Sequence, residues 1–470
     1  MEAVRKDVSS GLVESFGEEH FGSCVFGDKL LTDRAVKTAD AMLRHPGGTP
    51  PSKLRGADLL GFYDFANNGK VNHDNVLMGH IQRTRELMGG TPGVKLIIHD
   101  TTEADFSGLE IEDLGPIGNG NCQGLLLHNV LGYDLNSREA IGLMGQFVHR
   151  RRHVPRGESP SAKRRHPGRE SLLWIKGVEA VGEVPEGAVW VNLMDRGGDS
   201  FESLDHQQSL GQFYCVRSKS NRRVEVRDAA GRRVRRKLHN WARKLPTLAE
   251  KTVEVAANCG QPQRTARVRI GAGAVRLLVP HPKRGEYGDD PLDMWVVHVK
   301  ELDAPAGVEA LEWFVLTNVP TQSRQEALER VAWYEVRPVI EEFHKAQKTG
   351  CGMEQLQFTT RHALEVTMAL VSVVAVQLLR LRDLSRRPDA DVIAAAAAVD
   401  GEYVEVLSLW RYAEHRELSV RDFMWALAKL GGHLNRRTER PPGWLILWRG
   451  WTNLQLLVDG ARAVRRKRCG

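Results

Sequence analysis

The chain has 470 residues with 66 Lys and Arg against 59 Asp and Glu, a formal charge of +7 and a pI near 9.1. That length exceeds one ordinary core and implies two to four domains, for which 41% hydrophobic residues supply enough apolar material. Six cysteines, at 24, 122, 215, 259, 351 and 469, form no Cys-x-x-Cys pair. This speaks against a disulfide framework and a structural zinc, and for a reducing compartment.

The positive charge is clustered at 150–152, 163–165, 232–237 and 465–468. Clusters of this kind point to a polyanionic partner, nucleic acid before anionic membrane. Residues 1–72 read as helical, with Gly and Pro breaks at 46–51. Asp28 is placed to cap a helix, and 63–68 reads as a helix running into a turn. The start, MEAVRKDVSS, has no apolar signal core, so a cytoplasmic protein is expected.

Residues 94–100 form an apolar run ending in Asp100, the pattern of a buried strand. Strands are expected at 124–130 and 140–145, a basic loop at 150–170 and a short helix at 170–178. A second apolar run, 188–195, ends in Asp195 and is followed by Arg-Gly-Gly-Asp. A strand at 212–217 leads into a basic stretch, 221–310, that alternates Val, Arg and Gly with turn residues and reads as a β-rich insertion. Another strand is expected at 311–317. From 360 to the end the chain reads as helical, with an Ala-rich run at 394–398. Its apolar stretch 363–381 is interrupted by Glu365 and Gln377, which predicts a buried helix and no membrane span.

Between these regions, Tyr334, Arg337, Glu341, Lys345 and Lys348 are separated by 3, 4, 4 and 3 residues. That spacing places them on one arc of a helix, while Val339, Ile340 and Phe343 are free to pack. The ordinary reading is a solvated face with an i,i+4 pair between Arg337 and Glu341. Two strands ending in acids, with Glu341 on a later helix, favour more. Acids at the carboxyl ends of neighbouring strands converge where an α/β sheet presents its site. Three carboxylates suit hard Mg²⁺, and two such ions clamp the oxygens of an in-line displacement at phosphorus. Arg337, Lys345 and Lys348 would then hold a nucleic-acid backbone.

The motif Tyr334-x2-Arg337-x3-Glu341-x6-Lys348 resembles the signature of bacterial cut-and-paste DDE transposases of the insertion-sequence-four group. The surrounding RPVIEEFHKAQKTGCG looks like the Tn-five branch. HDTT at Asp100 and MDRGGDSFE at Asp195 resemble the first two acid motifs, and FYCVRSK and LEWFVLTN the strands that follow. FGDKLLTDR and LGGHLNRRTERPPGWLILWRGWTNLQLLVDG extend the resemblance to both ends of the chain.

The resemblance implies an α/β fold: an RNase-H-like mixed-sheet catalytic core with a β-rich insertion, flanked by helical N- and C-terminal domains. Its expected divisions are 1–72 for end binding, 73–372 for catalysis with the insertion at about 221–310, and 373–470 for dimerisation. It implies that Asp100, Asp195 and Glu341 hold two Mg²⁺ ions, for which Mn²⁺ can substitute. Tyr334, Arg337, Lys345, Lys348, Arg217 and Lys219 would contact DNA. Trp313 would stack on a flipped base, and Arg34 would recognise the element's end. The implied activity is excision through a hairpin and joining of 3′-hydroxyls to target DNA, by a homodimer on paired inverted repeats in a bacterial nucleoid. The alternatives are a catalytically silent DNA-binding regulator and a structure-specific nuclease. An apolar face from Trp448, Trp451, Leu454, Leu456, Leu457 and Val458 is the expected dimer contact.

Overall fold

The computed structural model describes residues 15–45, 47–255, 263–434 and 442–468, the last three by backbone alone. Pro46, Cys259, Cys469, the chain start and the side chains of 466–468 lie outside the described residues. Among the described residues four helices come first: α1 (Phe16–Phe21), α2 (Lys29–Arg44), α3 (Pro50–Lys53) and α4 (Ala57–Ala66). Asp28 caps α2 as expected, its carboxylate accepting from the Leu30 amide at 2.9 Å. α5 (His73–Gly90) opens on a capping box at Asn72 and leads to β1 (Val94–Asp105), β2 (Gly115–Ile117), β3 (Cys122–Asp134) and β4 (Glu139–His149).

The expected loop at 150–170 contains a short helix, α6 (Pro160–Arg165). Ser159 caps it, and Pro160 stands in the first turn, where a missing N–H costs nothing. Then come α7 (Leu172–Val181), β5 (Val189–Met194), α8 (Phe201–Ser209) and β6 (Phe213–Arg217). The basic stretch supplies β7 (Arg223–Arg227), β8 (Arg233–Lys237), α9 (Leu238–Ala242), β9 (Ala249–Val255), β10 (Arg264–Leu277), α10 (Arg284–Tyr287) and β11 (Leu292–Glu301). β12 (Glu312–Thr317), α11 (Arg324–Glu335), α12 (Val339–Lys345) and a π-helical turn (Ala346–Gly350) follow. The chain continues through α13 (Arg361–Ser385), α14 (Gly401–Tyr412), α15 (Val420–Leu430) and α16 (Trp444–Arg468). The Ala-rich run forms only one 3-10 turn, Ala395–Ala397.

The twelve strands of the described residues belong to one mixed sheet, with helices toward both ends of the chain. Its order is β2-β3-β1-β5-β6-β12-β11-β10-β7-β8, with β4 on β3 and β9 on β10. β1, β5 and β6 run parallel to their neighbours in that trio, and the remaining pairings are antiparallel. The basic stretch is β-rich as expected, and its strands extend this sheet through β12.

Side chains alternate across a strand, so the two faces can be read from parity. Leu96, Ile98, Val191, Leu193, Cys215 and Val315 share a core with α11, α12 and α13. On the opposite face Ile97 and Trp190 pack with Val181 of α7, and Met194, Tyr214 and Val216 pack with α7 and α8. α13 is long and apolar enough to cross a membrane by length and composition, yet 72% of that window is buried inside the protein. It is the core helix that the sequence predicts.

The C-terminal helices have their own core. There the expected apolar dimer face divides. Trp451, Leu454 and Val458 are buried against α14 and α15, Trp448 packs partly against the same core, and Leu456 and Leu457 remain exposed. A single helix turns successive residues to different sides, so that run could not form one face.

Candidate functional site

Parity decides which side chains meet. Asp100 has the parity of Leu96 and Ile98, and Asp195 that of Val191 and Leu193. Both therefore face α12. The parallel β1–β5 ladder ends at the pair His99↔Met194, so the two acids follow it at the same level. Asp195 leaves its strand there, as expected. Asp100 does not, which corrects the expectation that its strand ends in the acid. β1 continues to Asp105, paired only with β3.

The helical arc expected over 334–348 is interrupted, as Pro338 in its sequence implies: a helix carrying Glu341 starts close after Arg337, with Tyr334 outside it. Pro338 lacks an N–H and ends the hydrogen-bonded run, so α11 stops at Glu335 and α12 starts at Val339. Tyr334 lies in α11 and is buried, whereas Lys348 lies in the π-helical turn. Ile340 and Phe343 pack inward as expected.

The bend brings Arg337 into the middle of the acids. Its guanidinium lies 2.8 Å from Asp100 Oδ2, 3.9 Å from Asp195 Oδ2 and 2.5 Å from Glu341 Oε1. The other oxygen of each aspartate is held by backbone: Thr101 N donates to Asp100 Oδ1 at 2.9 Å, and Gly197 N to Asp195 Oδ1 at 2.6 Å. Gly197 is needed in that turn, because a Cβ there would meet the Trp174 ring at 2.4 Å. Both aspartates are thus aimed inward.

Burial pushes the Asp100 carboxyl up to about 6. Arg337 opposes the rise, while Asp195 and Glu341 add to it. Burial also works against the Arg337 charge, but Asp100 and Asp195 outweigh it and hold the guanidinium protonated.

Arg217 and Trp313 have the parity of Cys215 and Val315, so they share the face. The Trp313 ring meets Tyr334 edge-on, with centroids 5.6 Å apart, and is half-buried against the core. Burial pushes the Tyr334 phenol up to about 12, with Arg217 and Arg337 pulling the other way. Burial lowers the Arg217 guanidinium, Arg196 and Arg337 acting in the same sense.

Four expected residues stand at or beyond the rim. Lys345 pairs with Glu342 at 2.9 Å, and Lys348 with Glu354 at 3.3 Å. Lys219 is exposed, its amide donating to Asp199 at 2.5 Å. Arg34 pairs with Asp58 at 3.1 Å among the N-terminal helices, and no contact among the described residues joins it to the acids.

Two participants escaped the sequence reading. Arg196 stands next to Asp195 and acts electrostatically on Arg217 and Tyr334. Gln347 is fully buried and ties the π-helical turn to Ser372, its amide donating at 2.9 Å. The Arg of the Arg-Gly-Gly turn was a signal for the first; a glutamine between two lysines carried none for the second.

Among the described residues, no three His, Cys, Asp or Glu side chains stand close enough together to hold a metal ion as they are. Arg337 fills the space between the acids. The donor set nevertheless fits a hard divalent cation. Three carboxylates converge, each Asp with one oxygen anchored and one aimed inward, and one guanidinium leaves two negative charges uncompensated. No protein-family model matches the chain.

Proposed function

We propose that this chain is a metal-dependent DNA transposase that binds the inverted-repeat ends of a mobile element, excises it through a hairpin and joins the 3′-hydroxyls to target DNA. One observation carries the reading: Asp100, Asp195 and Glu341, from three separate elements, converge on Arg337 at the end of a parallel ladder. The segment β4-β3-β1-β5-β6, covered by helices on both faces, supports an RNase-H-like core.

Asp100, Asp195 and Glu341 would hold Mg²⁺, with Mn²⁺ able to replace it. The bound ions supply charge neutralisation at the attacking and leaving oxygens of an in-line displacement at phosphorus. The chain itself binds and orients. Arg337, Arg217 and Arg196 give the face beside the acids a positive rim for phosphates. Lys345, Lys348 and Lys219 extend it, and Arg34 belongs to the end-binding helices. Trp313 offers a half-exposed indole for an unstacked base, a contact that tolerates any sequence. Two bound ends, and hence two protomers, are required to join both ends to one target.

The test is incubation of purified protein with Mg²⁺ and a plasmid carrying its element's ends. Excised hairpin-ended DNA is expected. Asp100→Ala, Asp195→Ala and Glu341→Ala should each abolish cutting and retain end binding. Trp313→Ala should preserve first-strand nicking and slow hairpin formation. Nicks alone would indicate a nuclease, and shifted but uncut DNA a silent regulator.

A further inference from the structure

The stretch 221–245 holds ten Lys and Arg and only Glu225 and Asp228 as acids, an excess of eight, whereas the whole chain's excess is seven. The rest of the molecule is therefore slightly acidic, and its positive charge belongs in effect to one hairpin and the helix after it. The register of that hairpin organises the charge. β7 and β8 pair Arg223↔Lys237, Glu225↔Arg235 and Arg227↔Arg233, which places five cations and one carboxylate on the same face. Val224 and Val226, of opposite parity, are buried in the core beneath. The cationic face is thus the solvent face.

Most of this charge is uncommitted. Among the described residues, Arg223, Arg233, Lys237 and Lys244 form no ion pair, and Arg235 reaches Glu225 only at 3.5 Å. α9 adds Trp241, and the turn after it Lys244, to a concavity shared with Arg223, Arg235 and Lys237. Along β8 the cations Arg233, Arg235 and Lys237 recur about every 6.8 Å, close to the axial rise of two base pairs, while on β7 Glu225 stands between Arg223 and Arg227. Of the two asparagines beside the patch, Asn221 donates its Nδ2 to Asn240 Oδ1 at 2.9 Å, and Asn240 lines the concavity. What projects is chiefly positive charge, and its contacts to phosphate position a duplex without specifying its sequence.

We propose that the β7–β8 hairpin and α9 form a binding surface for the backbone of duplex DNA of any sequence. It is distinct from the acids, since β8 is the far edge of the sheet, with six strands between it and β1. Naming that duplex as the DNA that receives the element rests on the transposase reading; the surface itself does not.

The experiment compares the full chain with Arg223→Gln/Arg233→Gln/Lys237→Gln, all exposed and unpaired positions. A control of equal charge is Lys163→Gln/Arg164→Gln/Arg165→Gln on α6. Binding to a random-sequence duplex is followed by anisotropy across a salt series. The hairpin variant should bind at least about tenfold more weakly near physiological salt, and its log–log salt slope should fall in magnitude by about three. The α6 control should keep both. Equal losses in the two variants, or none in the hairpin variant, would overturn the assignment. So would a loss seen only with anionic phospholipid vesicles. Cutting of element ends is measured in parallel. If that activity is absent in every protein while the hairpin variant alone loses duplex binding, the surface stands and the transposase reading falls.

Discussion

A single guanidinium, that of Arg337, serves three carboxylates at once, and the charges do not balance. Asp100 shows the consequence, its carboxyl raised to about 6 by burial with the other two acids adding to the rise. On the proposed function, Arg337 and a divalent cation would therefore compete for the same inward-facing oxygens. Arg337→Ala should destabilise the metal-free protein by about 3 kcal/mol, because uncompensated buried charge remains behind. Mg²⁺ should then raise the melting temperature of the variant more than that of the unaltered protein. Thermal scans with EDTA and with Mg²⁺ would check this. A melting temperature indifferent to Mg²⁺ in both proteins would show that the acids do not take the ion.

At the scale of elements, the turn carrying Lys348 is held by a buried polar network. Gln347 donates to Ser372 Oγ at 2.9 Å, Gln146 to Asn129 Oδ1 at 2.5 Å, and His73 Nε2 lies 3.0 Å from Gln146 Oε1. α5, β3, β4, α13 and the π-helical turn are thereby fastened together. Gln347→Leu keeps the volume and removes the pairing, and unpaired buried amides cost about 1–3 kcal/mol. A urea titration should show that loss, and a change below about 0.5 kcal/mol would mean the turn is held by packing alone. Nothing in the sequence marks Gln347, since its partners lie far along the chain. The apolar runs before Asp100 and Asp195 were legible, because a buried strand must be continuous in hydrophobic residues. The end of β1 was not, because Thr101, Thr102 and Glu103 are half-buried and look like a turn. The path of the sheet was also hidden. β6 meets β12 from nearly a hundred residues away, so the expected insertion gave no sign that its strands continue the same sheet.

For the whole molecule, buried histidines set the response to acid. The Leu143 amide donates to His80 Nε2 at 2.9 Å, so the His80 proton sits on Nδ1, facing His20 Nδ1 at 3.1 Å. Burial lowers His80 to about 3. His20 and His128 are also lowered by burial, as are His99, to about 4, and His344, to about 3. The folded state stays neutral at these rings while the unfolded chain takes up protons below about 6.5. Stability is therefore complete above that pH and is lost as pH falls toward 4, by up to about 1.4 kcal/mol per unit for each ring. Asp100, Glu139 and Asp383, raised by burial, act in the opposite sense but are fewer. Melting temperature should fall between pH 6.5 and 5. His80→Asn, which does not titrate, should flatten the slope, and an unchanged slope would remove His80 from the account.

If two protomers pair as the proposed function requires, α16 is the helix to test. Leu447, Trp451, Leu454 and Val458 turn inward and close the C-terminal core, so deleting the chain from about 440 onward would unfold that core instead of releasing an intact monomer. Leu456, at 65% exposure, points outward with Leu457 and Val464, and on α14 Leu409 and Trp410 are also exposed. Isolated exposed apolar residues are ordinary, but four on one terminal helix, Leu445, Leu456, Leu457 and Val464, leave apolar surface on which the proposed pairing of two protomers would rest. Leu456→Glu/Leu457→Glu alters only the outer side of the helix. The variant should keep its melting temperature and bind a single element end. It should fail to form the slower two-ended complex in a gel shift and remain monomeric by light scattering in the presence of end DNA. If the two-ended complex forms at the usual protein concentration, the protomers meet on another surface and α16 serves only its own core.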